Sequence, residues 1–438
     1  MTPGAVRAAA AILACTSMLF AMPCGATESM QQRGTLPRGG SYVLDTDPTI
    51  GAAAVALWFR APGAGYNNAS PGVSRLAATA AAVAPLAGGK SLVALVRSVG
   101  GALNINVYPD IVGIGAVVPS SAVRRVVAAM TAAYFAPSVD DATVKIARGD
   151  AAVLAVEQRY SLDATAHDLL FKRMFASGPA HYSPLPDSVA ELSRVPYDDV
   201  AAFAKRAFRS GNAVLALTGN VDASAISAIT DGGGNAAMDP PFDSPLAGAF
   251  GESTATAPVS GVGLAWVGPP ISDQKAATAL DFISDYLFRD ETGEVSRALE
   301  SGKSDAYAVG QFITLHDPGV LLVTIGGADA KRVAPQVLDR LQALKQPLDP
   351  RTFEAAREAF LYHIASDTET SAEQADNLGW YAVEGAPSYA PGDAAGEYAR
   401  TARELDPAYV SQVVARYLSA NPVTVNLITV APPKGPAS

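Results

Sequence analysis

The strongest constraint on the fold is a repeat. The runs "AAAVALWFRAPG" (52–63) and "VGLAWVGPP" (262–270) each set a strand-like apolar stretch around a tryptophan, and Trp58 and Trp266 lie 208 residues apart. The β-rich runs "IVGIGAVVP" (111–119) and "GVLLVTIGG" (319–327) keep that offset. A helical pattern follows each of them. The first puts Val123, Val126, Val127, Met130 and Tyr134 on one face, and the second does so with Val333, Val337, Leu338, Leu341 and Leu344. Finally, "VPYDDVAAFAKRAFRSGNAVLALTG" and "LDPAYVSQVVARYLSANPVTVNLIT" share a plan. Each opens a helix with a proline in its first turn, Pro196 or Pro407, continues as an amphipathic helix, breaks, and ends in a strand. Landmarks in one order at one offset of about 210 residues predict a tandem duplication of a single α+β unit. The glycine-, proline- and aspartate-rich stretch "TDGGGNAAMDPPFDSP" (230–245) reads as the linker between lobes 27–229 and 246–438.

With 438 residues, 49% of them apolar, the chain can bury more than one core. Its net charge is -10 and it has no run of lysines or arginines, which argues against a nucleic-acid partner. Arg7 is the only charge before Glu28, and the apolar run Ala8 to Met22 ends in "CGA", so residues 1–26 are expected to form a secretory signal cleaved near Ala26. Export would deliver the protein to the periplasm or the exterior. Lipid attachment at Cys15 or Cys24 is the alternative. Cleavage would remove both cysteines and leave no thiol for disulfide, nucleophile or metal. The remaining chain has no run long enough for a membrane span.

Common catalytic signatures are missing. The sequence has no Gly-x-Ser-x-Gly elbow and no phosphate loop, and "GGG" at 232–234 falls in the linker. His167, His181, His316 and His363 include no pair at metal-binding helical spacing, so each reads as a packing histidine.

Two α+β lobes, with "WFRAPGAGYNNASPGVSRLAA" early in the first and "GPAHYSPLPDSVAELSRVPYDDVAAFAKRAF" later in it, resemble the insulinase/pitrilysin-type zinc metallopeptidases, in particular their processing-peptidase branch. The resemblance implies a mixed or antiparallel sheet packed with helices in each lobe. It also implies an inverted HxxEH zinc helix, in which two histidines four residues apart share a face and the intervening glutamate serves as general base. On this sequence the pattern begins at Gly72 and Val73 and then reads Arg75 for the first histidine, Ala78 for the glutamate and Thr79 for the second histidine. A guanidinium has no lone pair to offer, a methyl takes no proton, and a lone threonine hydroxyl is a poor zinc ligand. No cofactor is therefore expected, although the family metal is zinc. Glu157 lies near the position of the third ligand, with Ala155 the alternative if the alignment slips by one or two residues.

The resemblance also carries substrate-binding positions. Tyr307 in "GEVSRALESGKSDAYAVGQF" matches the tyrosine of the second-lobe signature, while Glu300 stands where its arginine belongs and Arg297 is the nearest arginine. Asn104 in "GGALNINVY" matches the asparagine of the edge strand that receives a peptide. The implied function is that of a non-catalytic subunit, paired with a homologous zinc-bearing chain and helping to enclose peptides. A stand-alone scaffold or peptide-binding protein is the alternative, and an active peptidase with other ligands is a third reading.

Overall fold

The computed structural model describes residues 30–61, 72–175, 189–230, 232, 252–257, 259–391 and 396–429. The signal segment, most of the linker, Cys15, Cys24 and His181 lie outside them. The first half contains β1 (Met30–Thr35), β2 (Ser41–Thr46), β3 (Ala52–Arg60), α1 (Val73–Val83), α2 (Leu92–Ser98), β4 (Ala102–Val107), β5 (Ile111–Pro119), α3 (Val123–Phe135), α4 (Asp141–Arg159), α5 (Leu162–Met174), α6 (Val189–Arg194), α7 (Tyr197–Ala207) and β6 (Ala213–Gly219). The second contains β7 (Glu252–Ala257), β8 (Gly261–Val267), α8 (Gln274–Phe288), α9 (Glu294–Ser301), β9 (Tyr307–Ile313), β10 (Val320–Gly326), α10 (Ala330–Ala343), α11 (Pro350–Ser366), α12 (Ser371–Glu384), α13 (Glu397–Arg403), α14 (Pro407–Tyr417) and β11 (Val423–Thr429).

After β1 the two series correspond element for element, from β2 with β7 to β6 with β11. The sheets repeat the same order, β2-β6-β3-β5-β4 in one and β7-β11-β8-β10-β9 in the other, with β1 added at the outer side of β2. In each sheet the first of these pairs is parallel and the rest are antiparallel. The apolar tryptophan strands β3 and β8 are central and buried, as runs without polar alternation require. The predicted faces of α3 and α10 point into the cores, with Val126, Val127, Met130, Val333, Val337 and Leu341 at most 1% exposed. Pro407 occupies the first turn of α14 behind the Asp406 cap. Pro196 differs: it stands at the N-cap of α7, one residue before the helix, with extended ψ.

One helix from each half crosses to the other sheet. α5 packs on β8, β10 and β11, and its Leu162, Leu170, Phe171 and Met174 share a core with Leu322, Val425 and Leu427. Burial of such side chains contributes roughly 1.5–3 kcal/mol each. α12 packs reciprocally on β3, β5 and β6. Each crossing is pinned by polar contacts: Thr324 donates to Asp163 of α5 at 2.7 Å, Arg60 donates to the Val383 carbonyl at 2.7 Å, and Thr218 donates to the Ser371 carbonyl. Local sequence makes these helices well defined. Ser161 caps α5, and Thr370 with Glu373 forms a capping box on α12.

Candidate functional site

α1 is rich in alanine, and the small side chains let β4, α3, α4 and α7 close around it. Ala78 is fully buried, Thr79 is 8% exposed, and the Tyr134 hydroxyl donates to the Ala78 carbonyl at 2.9 Å. Burial holds the Tyr134 phenol well above its usual range, so it remains a donor. Arg75 turns toward β4, where its Nη1 donates to the Ile105 carbonyl. The three motif positions thus hold a cation bonded to a strand, a methyl group within the packing, and a threonine. They do not fit zinc. Glu157 is exposed, whereas Val144, Ala147, Ala151 and Ala155 form the buried stripe of α4, the helix that packs on α1. Two residues turn a helix by about 200°, so Glu157 points away from the stripe that ends at Ala155. Among the described residues, no group of three or more histidine, cysteine or acidic side chains could hold a metal. His167 pairs with Asp163, His363 with Asp285, and the His316 ring bonds the Glu384 carbonyl.

The other sequence-derived residues are dispersed. Arg297 is a surface residue paired with Glu294 on its own helix at 3.2 Å. Tyr307, 50% exposed, opens β9, and its ring lies over Gly326 of β10. Asn104 is exposed on β4. Among the described residues β4 and β9 are the terminal strands of their sheets.

Hydrogen-bond alternation shows which backbone groups these edges present. Tyr108 N–H donates to Ile111 at 2.9 Å, which closes the β4–β5 hairpin as a bonded pair. Counting along the register, Asn106 and Asn104 are bonded to β5, so the N–H and C=O groups of Leu103, Ile105 and Val107 point outward. On the other sheet, Gly327 N–H donates to Ser260 and Gly268 N–H to Gly319. The odd-numbered residues of β10 therefore bond β8 and the even-numbered ones bond β9. This leaves Ala308, Gly310 and Phe312 facing outward from β9. The next outward carbonyl, Thr314, accepts from the Trp380 indole at 2.8 Å.

The edge of β9 borders a cleft of about 840 Å³ between the halves, within the size range of ligand-binding clefts. Its walls include β9 from Val309 to Ile313, Trp58 and Tyr108 of the first half, Phe171 of α5, and Asp376 and Trp380 of α12. Trp58, Tyr108 and Trp380 form an aromatic cluster with centroids 4.6–6.1 Å apart. The α8–α11 side is acidic. His363 Nδ1 lies 2.9 and 3.0 Å from the Asp285 oxygens, and Arg289 grips Asp367 with two bonds of 2.6 and 2.7 Å. Asp281 accepts from the Tyr398 hydroxyl at 2.9 Å, yet burial, reinforced by the charge of Asp285, raises its pKa to about 7. Burial raises Asp376 to about 6, with Glu373 adding. Sequence reasoning missed this cluster. Its one local signal was a pair of aspartates four residues apart in the largely apolar α8.

A second polar group lies at the seam behind the cleft. The Asp110 and Glu384 carboxyls face one another, both raised chiefly by burial, with Arg60 as the neighbouring cation. His316 N–H donates to Asp110 at 3.1 Å across the halves.

Residues 194–360 match the family model described as the peptidase M16 inactive domain. No curated protein matches the chain in sequence. Several solved structures share its fold, three of them as follows. A protease from Helicobacter pylori is 16% identical at a TM-score of 0.78, over 92% of this chain and 99% of the other. A putative M16-like peptidase from Alicyclobacillus acidocaldarius is 14% identical at 0.76, over 92% and 99%. A chain of complex III2 from Candida albicans is 13% identical at 0.74, over 90% and 94%. Residues 194–360 are thus similar to the M16 inactive domain, and the chain as a whole shares the fold of M16-like peptidase structures.

Proposed function

We propose that the protein is a non-catalytic subunit that acts after export, pairs with a homologous zinc-bearing chain, and holds an extended peptide along β9. The observation that carries this reading is the contrast between two sites. The motif positions of α1 are committed to packing and to β4, while β9 borders an aromatic and acidic cleft. Strand addition needs only backbone groups and pockets for alternate side chains, so it needs no metal. The fold shared with a chain of complex III2 favours a second reading, a scaffold without a peptidase partner. Purification from the native host distinguishes them. The first reading expects a similar two-lobed chain with an intact HxxEH motif to co-purify, and peptidase activity to require both chains. Recovery of this chain alone, or only as a homodimer, would discard that reading in favour of the scaffold.

A further inference from the structure

We propose that Arg75 is an edge lock, which withholds β4 from strand addition and so directs a bound peptide to β9. The inference rests on the peptide-binding reading above. The three outward residues of β4 are Leu103, Ile105 and Val107, and Ile105 is the middle one. A peptide pairing along this edge would have to bond the Ile105 carbonyl, and that carbonyl already accepts from the Arg75 guanidinium. Exchanging a charged donor for a neutral peptide N–H is unfavourable, because charge-assisted bonds are roughly twice as strong as neutral ones. Arg75 also lies within electrostatic reach of the Tyr108 and Tyr134 hydroxyls, so the guanidinium is set among polar groups rather than in open solvent. β9 carries a similar side-chain donor, the Trp380 indole, but on Thr314, beyond its three outward residues. One donor blocks the centre of an edge. The other marks the end of one.

Hydrogen exchange on the full chain, with and without a soluble peptide of alternating threonine and lysine, tests the lock. In the wild-type protein the peptide should slow exchange in segment 306–314 and leave 102–108 unchanged. In Arg75→Met, which keeps the apolar stem, it should slow 102–108 as well, by about fivefold for each bond gained. Arg75→Ala serves as a second variant, and matching thermal midpoints show that the fold is intact. Protection of 102–108 in the wild type, or none there in either variant, overturns the lock. Failure to protect 306–314 counts instead against the peptide-binding reading. The two ideas therefore fail on different segments.

Discussion

Gly379 of α12 lies so close to Trp58 of β3 that a Cβ at that position would fall 2.2 Å from both Cδ1 and Nε1 of the indole. The contact sits where the crossing helix of the second half meets the central strand of the first. A glycine inside a helix ordinarily weakens it, and this one allows the helix to seat.

Gly379→Ala should therefore destabilise the protein by about 1–3 kcal/mol, the usual cost of overpacking. Gly149→Ala on α4 should do the opposite, because a Cβ there meets no atom within 4 Å. In an exposed helix interior alanine is favoured over glycine by about 0.5–1 kcal/mol. Denaturant midpoints of the two variants should move in opposite directions. A common direction would contradict the packing at Trp58.

Stability should fall as pH rises from about 4 to about 7. Folded Asp281 keeps its proton up to about pH 7, against an ordinary value of 3.8. The native state thus binds more protons than the unfolded state over that interval. The contribution is complete below the lower value and lost as pH rises through the upper one, at up to about 1.4 kcal/mol per unit. Asp376, raised to about 6, acts in the same direction. Asp281→Asn retains an acceptor for Tyr398 and should flatten the profile measured by urea unfolding. An unchanged slope would show that Asp281 does not titrate as described.

Arg60→Met should be more costly at high pH than at low pH. Arg60 is the cation beside the buried Asp110 and Glu384 carboxyls, and it also bonds the Val383 carbonyl. Removing one partner of a buried charge cluster costs about 3–5 kcal/mol when the other charges are present. Burial raises both carboxyls, so as pH falls they take up protons sooner than ordinary carboxylates and less charge remains uncompensated. Equal losses at the two pH values would deny the electrostatic role.

Metal analysis should find zinc well below one per chain, and a chelator should leave the thermal midpoint unchanged. Restoring the acid alone, as Ala78→Glu, should destabilise the protein by several kcal/mol, since position 78 is fully buried. A stable, zinc-loaded Ala78→Glu protein would contradict the packing described for α1.

Much of the architecture was legible because each copy repeats its own local code. Trp58 and Trp266, the faces of α3 and α10, and the capped helix before each last strand are all short-range patterns. Arg75, Ala78 and Thr79 fall on one helix, α1, as the spacing predicted. What could not be read were facts of long range. Nothing in the sequence of α5 or α12 says which sheet it covers, because an apolar stripe specifies burial and not a partner. Asp285 and His363 are 78 residues apart and meet only through the packing of α8 with α11. The outward residues of β4 and β9 follow from register, which a one-residue slip would invert. Glu157 shows the same limit: its distance along the chain suited a ligand, but its helix turns it to solvent.

The crossing of α5 and α12 also bears on the order of synthesis. Trp58, Ala54, Ala56 and Val214 of the first sheet are covered by a helix whose last residue, Glu384, is made 165 residues after β6 ends. A ribosome that has completed the first copy has therefore produced a sheet with one bare apolar face. Until α12 arrives that face stays uncovered, and truncation before Glu384 should yield aggregate rather than a smaller folded unit.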